Sequence, residues 1–236
     1  MNRPAPLGDP NVAMVEIVVD ALGDVADDVV LIGGCATGLL VTGPRAQRIR
    51  ATLDVDLVAE ATTLRDYHAI ERRLLHRGFR HDTSSGAPIC RWVGFGVTLD
   101  LMPSQAGVLA FHNQWYPLAV ATAQPLTLPS ERVIRLIAAP VFIATKLAAF
   151  HDRGRRDFVA SHDLEDILTV IDGRAILVTE LADLDAALRA YLAREFTALL
   201  NVQAFLDALP GHVPGDAASQ ARVPLIVERL RTIARG

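Results

Sequence analysis

The sequence predicts an α/β (α+β) protein, with a mixed sheet and flanking helices over residues 1–139 and an all-helical region over residues 140–236. Three observations carry this. Short β-branched or alternating runs, each ended by glycine or proline, recur as far as residue 139. From Pro140 onward the apolar residues fall at helical spacing. Of the 236 residues, 51% are hydrophobic and 21% charged, which supports a sizeable core and argues against disorder.

Taken in order, residues 12–22 carry apolar positions at helical spacing and end at Gly23. "DVVLI" (28–32) is a strand stopped by Gly33-Gly34, and "CATGLLV" (35–41) reads as a helix. Residues 53–59 form the next strand, and 63–76 an amphipathic, Arg-rich helix closed by Gly78. "PICRWVGFGVTLDLMP" reads as two strands joined by a tight turn at Gly94 to Gly96. "QWYPLAVATA" and "RVIRLIAA" read as two further strands, separated by the loop "QPLTLPSE". The helical remainder is interrupted at Gly154, near Gly173 and at "LPGHVPGD".

Composition removes several classes. No apolar run is long enough to span a bilayer, and "MNRPAPLGDPN" lacks a secretory core, so a cytoplasmic protein without a membrane partner is expected. Cys35 and Cys90 are the only cysteines, which excludes a disulfide framework and a CxxC metal site. A net charge of −4 argues against gripping nucleic acid over the whole surface. "HDRGRR" (151–156) is the densest basic stretch, and Arg50, Arg153, Arg155 and Arg156 suit a short acceptor end.

The chemistry begins with "RATLDVDLVAE" (50–60) and "GVTLDLMP" (96–103). Strand alternation sends Thr52, Asp54 and Asp56 to one face and Leu53, Val55 and Leu57 to the other. Thr98 and Asp100 repeat that phase against Val97, Leu99 and Leu101. One reading is a sheet with a wet face. The other starts from the poor fit of aspartate to strands, where threonine or lysine would serve a wet face better. Three acids close together repel unless a cation neutralises them, and hard oxygens without His or Cys suit Mg²⁺.

Further residues join this pair of strands. Gly33 and Gly34 stand where a strand meets a helix, either as a plain tight turn or as a cradle whose free amides bind phosphate. The run is neither a P-loop nor a dinucleotide fingerprint. Cys35 at the helix start is a conceivable nucleophile, with no histidine near it in sequence; a packed, inert thiol is the alternative. Lys146 falls inside the apolar stripe Phe142, Ile143, Leu147 and Phe150. It either snorkels to water or supplies a point charge to a nucleotide triphosphate. In "SHDLEDI", Ser161 is a helix cap, with Asp163 and Glu165 in the first turn and His162 and Asp166 four apart.

Gly33-Gly34, Asp54-x-Asp56 and Asp100 together resemble the DNA polymerase β-like nucleotidyltransferase superfamily. "FIATKLAAFHDRGRRDFVASHDLEDI" is similar to the AbiEii-type nucleotidyltransferases, many of them toxins of toxin–antitoxin or phage-defence pairs. The likeness spans residues 30–172. It implies a nucleotidyltransferase-like fold and transfer of NMP from an NTP with release of pyrophosphate. It also implies two Mg²⁺ ions (or Mn²⁺) on Asp54, Asp56 and Asp100, and nucleotide binding by Gly33, Gly34, Thr52, Lys146 and Asp163. The acceptor implied is a tRNA 3′ end or a protein hydroxyl, and a cognate antitoxin would be the partner. Two departures stand out: Gly-Gly-Cys replaces the frequent Gly-Ser, and the downstream acid is not unique among Asp157, Asp163 and Asp166.

Three rivals share these residues. A small-molecule (antibiotic) nucleotidyltransferase uses the same core, and Trp115 and Tyr116 would stack on a base or sit in the core. An HD-type phosphohydrolase would draw on His81-Asp82, His151-Asp152 and His162-Asp163 but leaves the strand-borne acids idle. A non-catalytic nucleotide-binding module would keep the fold without turnover.

Overall fold

A computed structural model describes residues 8–43, 49–110, 112–153, 157–182 and 184–236, with the side chain of Ala182 left aside. Gly154, Arg155, Arg156 and the first seven residues, all used in the sequence reading, lie outside the described residues. The chain forms two compact units, one from 1–39 and 49–138, the other from 40–48 and 139–236. No described helix is long and apolar enough to cross a membrane.

The first unit is built on a mixed sheet of seven strands, in the order β3-β4-β5-β2-β1-β7-β6. Helix α1 (Val12–Leu22) precedes β1 (Val29–Ile32), whose four residues are all buried. β1 runs antiparallel to β2 (Val55–Ala59), and β2 runs parallel to β5 (Val97–Pro103). β3 (Arg80–His81) and β4 (Arg91–Gly94) extend that side. β6 (Gln124–Thr127) and β7 (Val133–Leu136) extend the other, with β7 parallel to β1. Helix α2 (Gly33–Leu40) follows β1 directly. Helix α3 (Leu64–Arg77) begins with a capping box between Thr63 and Asp66 and ends on left-handed Gly78.

The structure corrects three sequence expectations. Residues 114–123 are not a strand; helix α4 (Tyr116–Thr122) forms there, because Pro117 suits a first helical turn and the alanines favour helix over strand. The expected loop 124–131 instead supplies β6, where Pro125 is tolerated because the strand lies at the sheet edge. The strand expected over 53–59 starts only at Val55, so Leu53 is 92% exposed rather than buried opposite the acids.

The second unit is helical: α5 (Ala139–Arg153), α6 (His162–Gly173), α7 (Leu177–Ala182), α8 (Ala186–Leu200), α9 (Gln203–Ala208), α10 (Ala217–Gln220) and α11 (Val223–Ala234). Pro140 lies in the first turn of α5. Ser161 caps α6, its hydroxyl accepting from the Leu164 amide at 3.3 Å. Arg222 holds the buried Asp172 carboxylate, donating at 2.5 to 2.9 Å and so tying α11 to α6.

Candidate active site

Strand register brings the acids to one row. Asp56 on β2 lies opposite Asp100 on β5, and Asp100 lies opposite Arg91 on β4. Equal phase puts all three side chains on one face of the sheet. Asp54, two residues ahead of Asp56 and just outside the strand, reaches the same guanidinium. Arg91 donates from Nε and Nη2 to the two oxygens of Asp100 at 2.8 and 2.7 Å, and from Nη2 to Asp54 at 2.8 Å. The hydrogen bond that Arg91 donates to Asp100, working against burial, raises the pKa of Arg91 above its usual value. Asp100 is buried, whereas Asp54, Asp56 and Arg91 are partly exposed.

The glycine bend closes the other end of this row. Gly33 has a φ of +65°, a conformation favouring glycine. A Cβ added there would stand 1.8 Å from Asp56 Oδ2, so the carboxylate occupies the space the missing side chain leaves. A Cβ on Gly34 would stand 2.4 Å from Thr52 Cγ2. Both glycines are therefore required by close approach, Gly33 by its backbone as well.

Thr52 turns its hydroxyl inward, to the Asp54 carbonyl at 3.1 Å and to Cys35 Sγ at 3.1 Å. Asn11, 2% exposed, fixes this segment: its amide donates to the Arg50 carbonyl at 2.9 Å, and its Oδ1 accepts from the Thr52 amide at 2.9 Å. Sequence reading missed Asn11. Burial pushes the Cys35 thiol up to about 12, with Asp56 and Asp9 adding to the rise and the Thr52 hydrogen bond opposing it. That overrides the helix-start stabilisation expected for a thiolate, and Cys35 is an inert packing group.

In the second unit Lys146 is 7% exposed, so it does not snorkel to water. Its ammonium donates to Asp166 at 2.6 Å and to Asp163 at 3.3 Å. Arg153 also holds Asp163, at 2.9 and 3.1 Å. Burial works to raise the Asp163 pKa, but Arg153 and Lys146 outweigh it and hold it below the ordinary value. Asp157 is separate from this cluster, accepting from the Val159 and Ala160 amides in a turn.

Each histidine of the HD-type alternative has its own local partner. His81 packs against Trp92 with ring centroids 3.7 Å apart, His151 bonds Glu195, and His162 faces Glu165. Among the described residues, no group of three or more His, Cys, Asp or Glu is arranged to hold a metal ion. In the acid row, Arg91 lies on two of the three carboxylates. Trp115 and Tyr116 stand half-buried at the start of α4.

No protein-family model and no curated protein matches the chain. Among solved structures, the antibiotic-resistance factor ANT(2'')-Ia is similar at 17% identity and a TM-score of 0.45, covering 79% of this chain and 96% of that one. An H. pylori protein named as a candidate nucleotidyltransferase is similar at 13% identity and a TM-score of 0.48, covering 97% of this chain and 96% of that one.

Proposed function

We propose that the first unit is the core of a nucleotidyltransferase, moving NMP from an NTP to a hydroxyl acceptor and releasing pyrophosphate. One juxtaposition supports this reading: Asp56 and Asp100 stand in register on parallel strands, with the Asp56 carboxylate pressed against the Gly33 bend. A phosphate bound by the amides opening α2 would thus lie beside the carboxylates. In the proposed step the acceptor oxygen bonds to the α-phosphorus as the bond to pyrophosphate breaks. Asp56 takes the hydroxyl proton, while Asp54 and Asp100 hold the charge pattern around it.

Two Mg²⁺ ions, or Mn²⁺, are what the family resemblance asks of Asp54, Asp56 and Asp100. The oxygens are hard donors of the right chemistry. With Arg91 bonded to Asp54 and Asp100 they do not stand open to a common ion, so the two-ion site does not fit the side chains as they are placed. The nucleotide-binding roles of Gly34, Thr52, Lys146 and Asp163 rest on the same resemblance. So do a tRNA or protein acceptor, a toxin's activity and a cognate antitoxin.

Purified protein incubated with Mg²⁺ or Mn²⁺, each labelled NTP and a cell extract tests the proposal. Label in RNA, protein or a small molecule identifies the acceptor. Asp56→Ala is expected to lower transfer about a thousandfold with an unchanged near-ultraviolet circular dichroism spectrum. Full transfer by that variant overturns the mechanism. The occupied acid row favours a second reading, a non-catalytic nucleotide-binding module, which saturable nucleotide binding without label transfer would establish.

A further inference from the structure

We propose that Arg91 is the resident counter-ion of the acid row and competes with divalent metal for Asp54 and Asp100. The inference rests on the reading of these acids as the reaction centre and goes beyond it by naming what holds the centre when no metal is bound. Three observations carry it. Arg91 is not a surface side chain that happens to fold over: hairpin register fixes it opposite Asp100, so its position is built into the sheet. Its three hydrogen bonds engage both oxygens of Asp100 and Oδ2 of Asp54 at 2.7 to 2.8 Å, oxygens that a cation bridging the two acids would need. Its side chain is 26% exposed, so it has a way out toward solvent.

The physical consequence is a competition between two cations for one pair of anions. A planar guanidinium meets a carboxylate with two parallel donors, which a spherical ion cannot imitate. A metal reaching these acids must first break those contacts, and its apparent affinity falls by the strength of the guanidinium it displaces. Removing the guanidinium charge while keeping a polar, uncharged side chain should therefore raise metal affinity, about tenfold after allowance for solvent screening.

The experiment titrates Mn²⁺ alone into the full chain and reads free ion by electron paramagnetic resonance, for wild type, Arg91→Gln and Arg91→Lys. The expected result is an Arg91→Gln dissociation constant about tenfold lower than that of wild type, with Arg91→Lys between them because a lysine keeps the charge but not the fork. An Arg91→Gln affinity equal to or weaker than wild type overturns the proposal, as does failure of Arg91→Gln to bind Mn²⁺ at millimolar concentration. Near-ultraviolet circular dichroism, sensitive to Trp92 beside the substituted position, reports folding. Should Arg91→Gln unfold, Arg91→Lys decides alone, tighter binding than wild type supporting the competition and equal or weaker binding refuting it. Label transfer is scored separately, so a wild type that transfers nucleotide while Mn²⁺ affinity ignores Arg91 removes this inference and leaves the proposed function in place.

Discussion

Gly33→Ala should unsettle the site more than any other single methyl group. The backbone there sits at φ +65°, and the added Cβ would lie 1.8 Å from Asp56 Oδ2 and 2.5 Å from Asp56 Cβ. A left-handed backbone costs alanine about 1–2 kcal/mol, and forcing the neighbour aside costs a further ~1–3 kcal/mol, as in an overpacked core. The expected loss is therefore about 2–5 kcal/mol. Both tryptophans of the chain, Trp92 and Trp115, lie in the first unit, so their fluorescence during urea denaturation reports that unit. With a slope of about 2 kcal/mol per molar urea, the midpoint should fall by roughly 1–2.5 M. Gly107 provides the control: its φ is +83° and a Cβ there meets nothing within 4 Å, so Gly107→Ala bears the backbone cost alone. Transfer by Gly33→Ala should collapse with the displaced carboxylate, to the level of Asp56→Ala. An unchanged midpoint, or a loss no larger than that of Gly107→Ala, refutes the packing argument.

In the second unit, Lys146→Met strands Asp163 and Asp166 together in a buried setting and should cost about 3–5 kcal/mol, toward the low end because Arg153 still holds Asp163; thermal loss of helical circular dichroism measures it. The same cluster sets an acid limit. Asp163 has a folded pKa below its unfolded value of about 3.9, so its stabilisation is present above that value and is lost as pH falls through the folded pKa. Melting temperatures should decline below about pH 4, and less so in Asp163→Asn. At the alkaline end, burial holds the Cys35 and Cys90 thiols protonated up to about 12. An aromatic disulfide reagent at pH 8 should find neither thiol in the native protein and both in denaturant, and stability should fall as pH rises from about 8.5 toward 12 while only unfolded thiols ionise.

Sequence periodicity made much of the frame legible. The helix over 12–22, the β1–glycine–α2 junction, the hairpin about residue 95 and the helical second half all follow from spacing and turn residues. The 114–123 segment misled because alternating apolar residues in a short run suit strand and helix alike, and Pro117 decided between them. The acids were legible as a face on each strand, since alternation sets their phase, but the pairing of Asp56 with Asp100 comes from a strand register that no local pattern announces. Arg91 was also within reach. Counting outward from the hairpin turn pairs Gly94 with Val97 and, three steps on, Arg91 with Asp100. Asn11 was not, because its partners Arg50 and Thr52 are about forty residues away along the chain and no local pattern announces them.

Arg91 also explains why a chain this apolar tolerates acids on its sheet. Neighbouring strands lie about 4.8 Å apart, and two carboxylates at such a separation repel by roughly 3 kcal/mol at an effective dielectric of about 20. Asp100 is buried, so water screens it poorly. A sheet carrying Asp56 and Asp100 side by side without a cation would be strained apart at this point by that repulsion. The guanidinium removes this outcome from the next strand along, donating to both oxygens of Asp100 and extending to Asp54. The carboxylates can then stand close together, with Asp56 against the Gly33 bend. A surface-decorating role needs none of it, because acids on a wet face would keep their distance or alternate with lysine. The pairing of register, glycine and arginine therefore weighs against a merely solvated face.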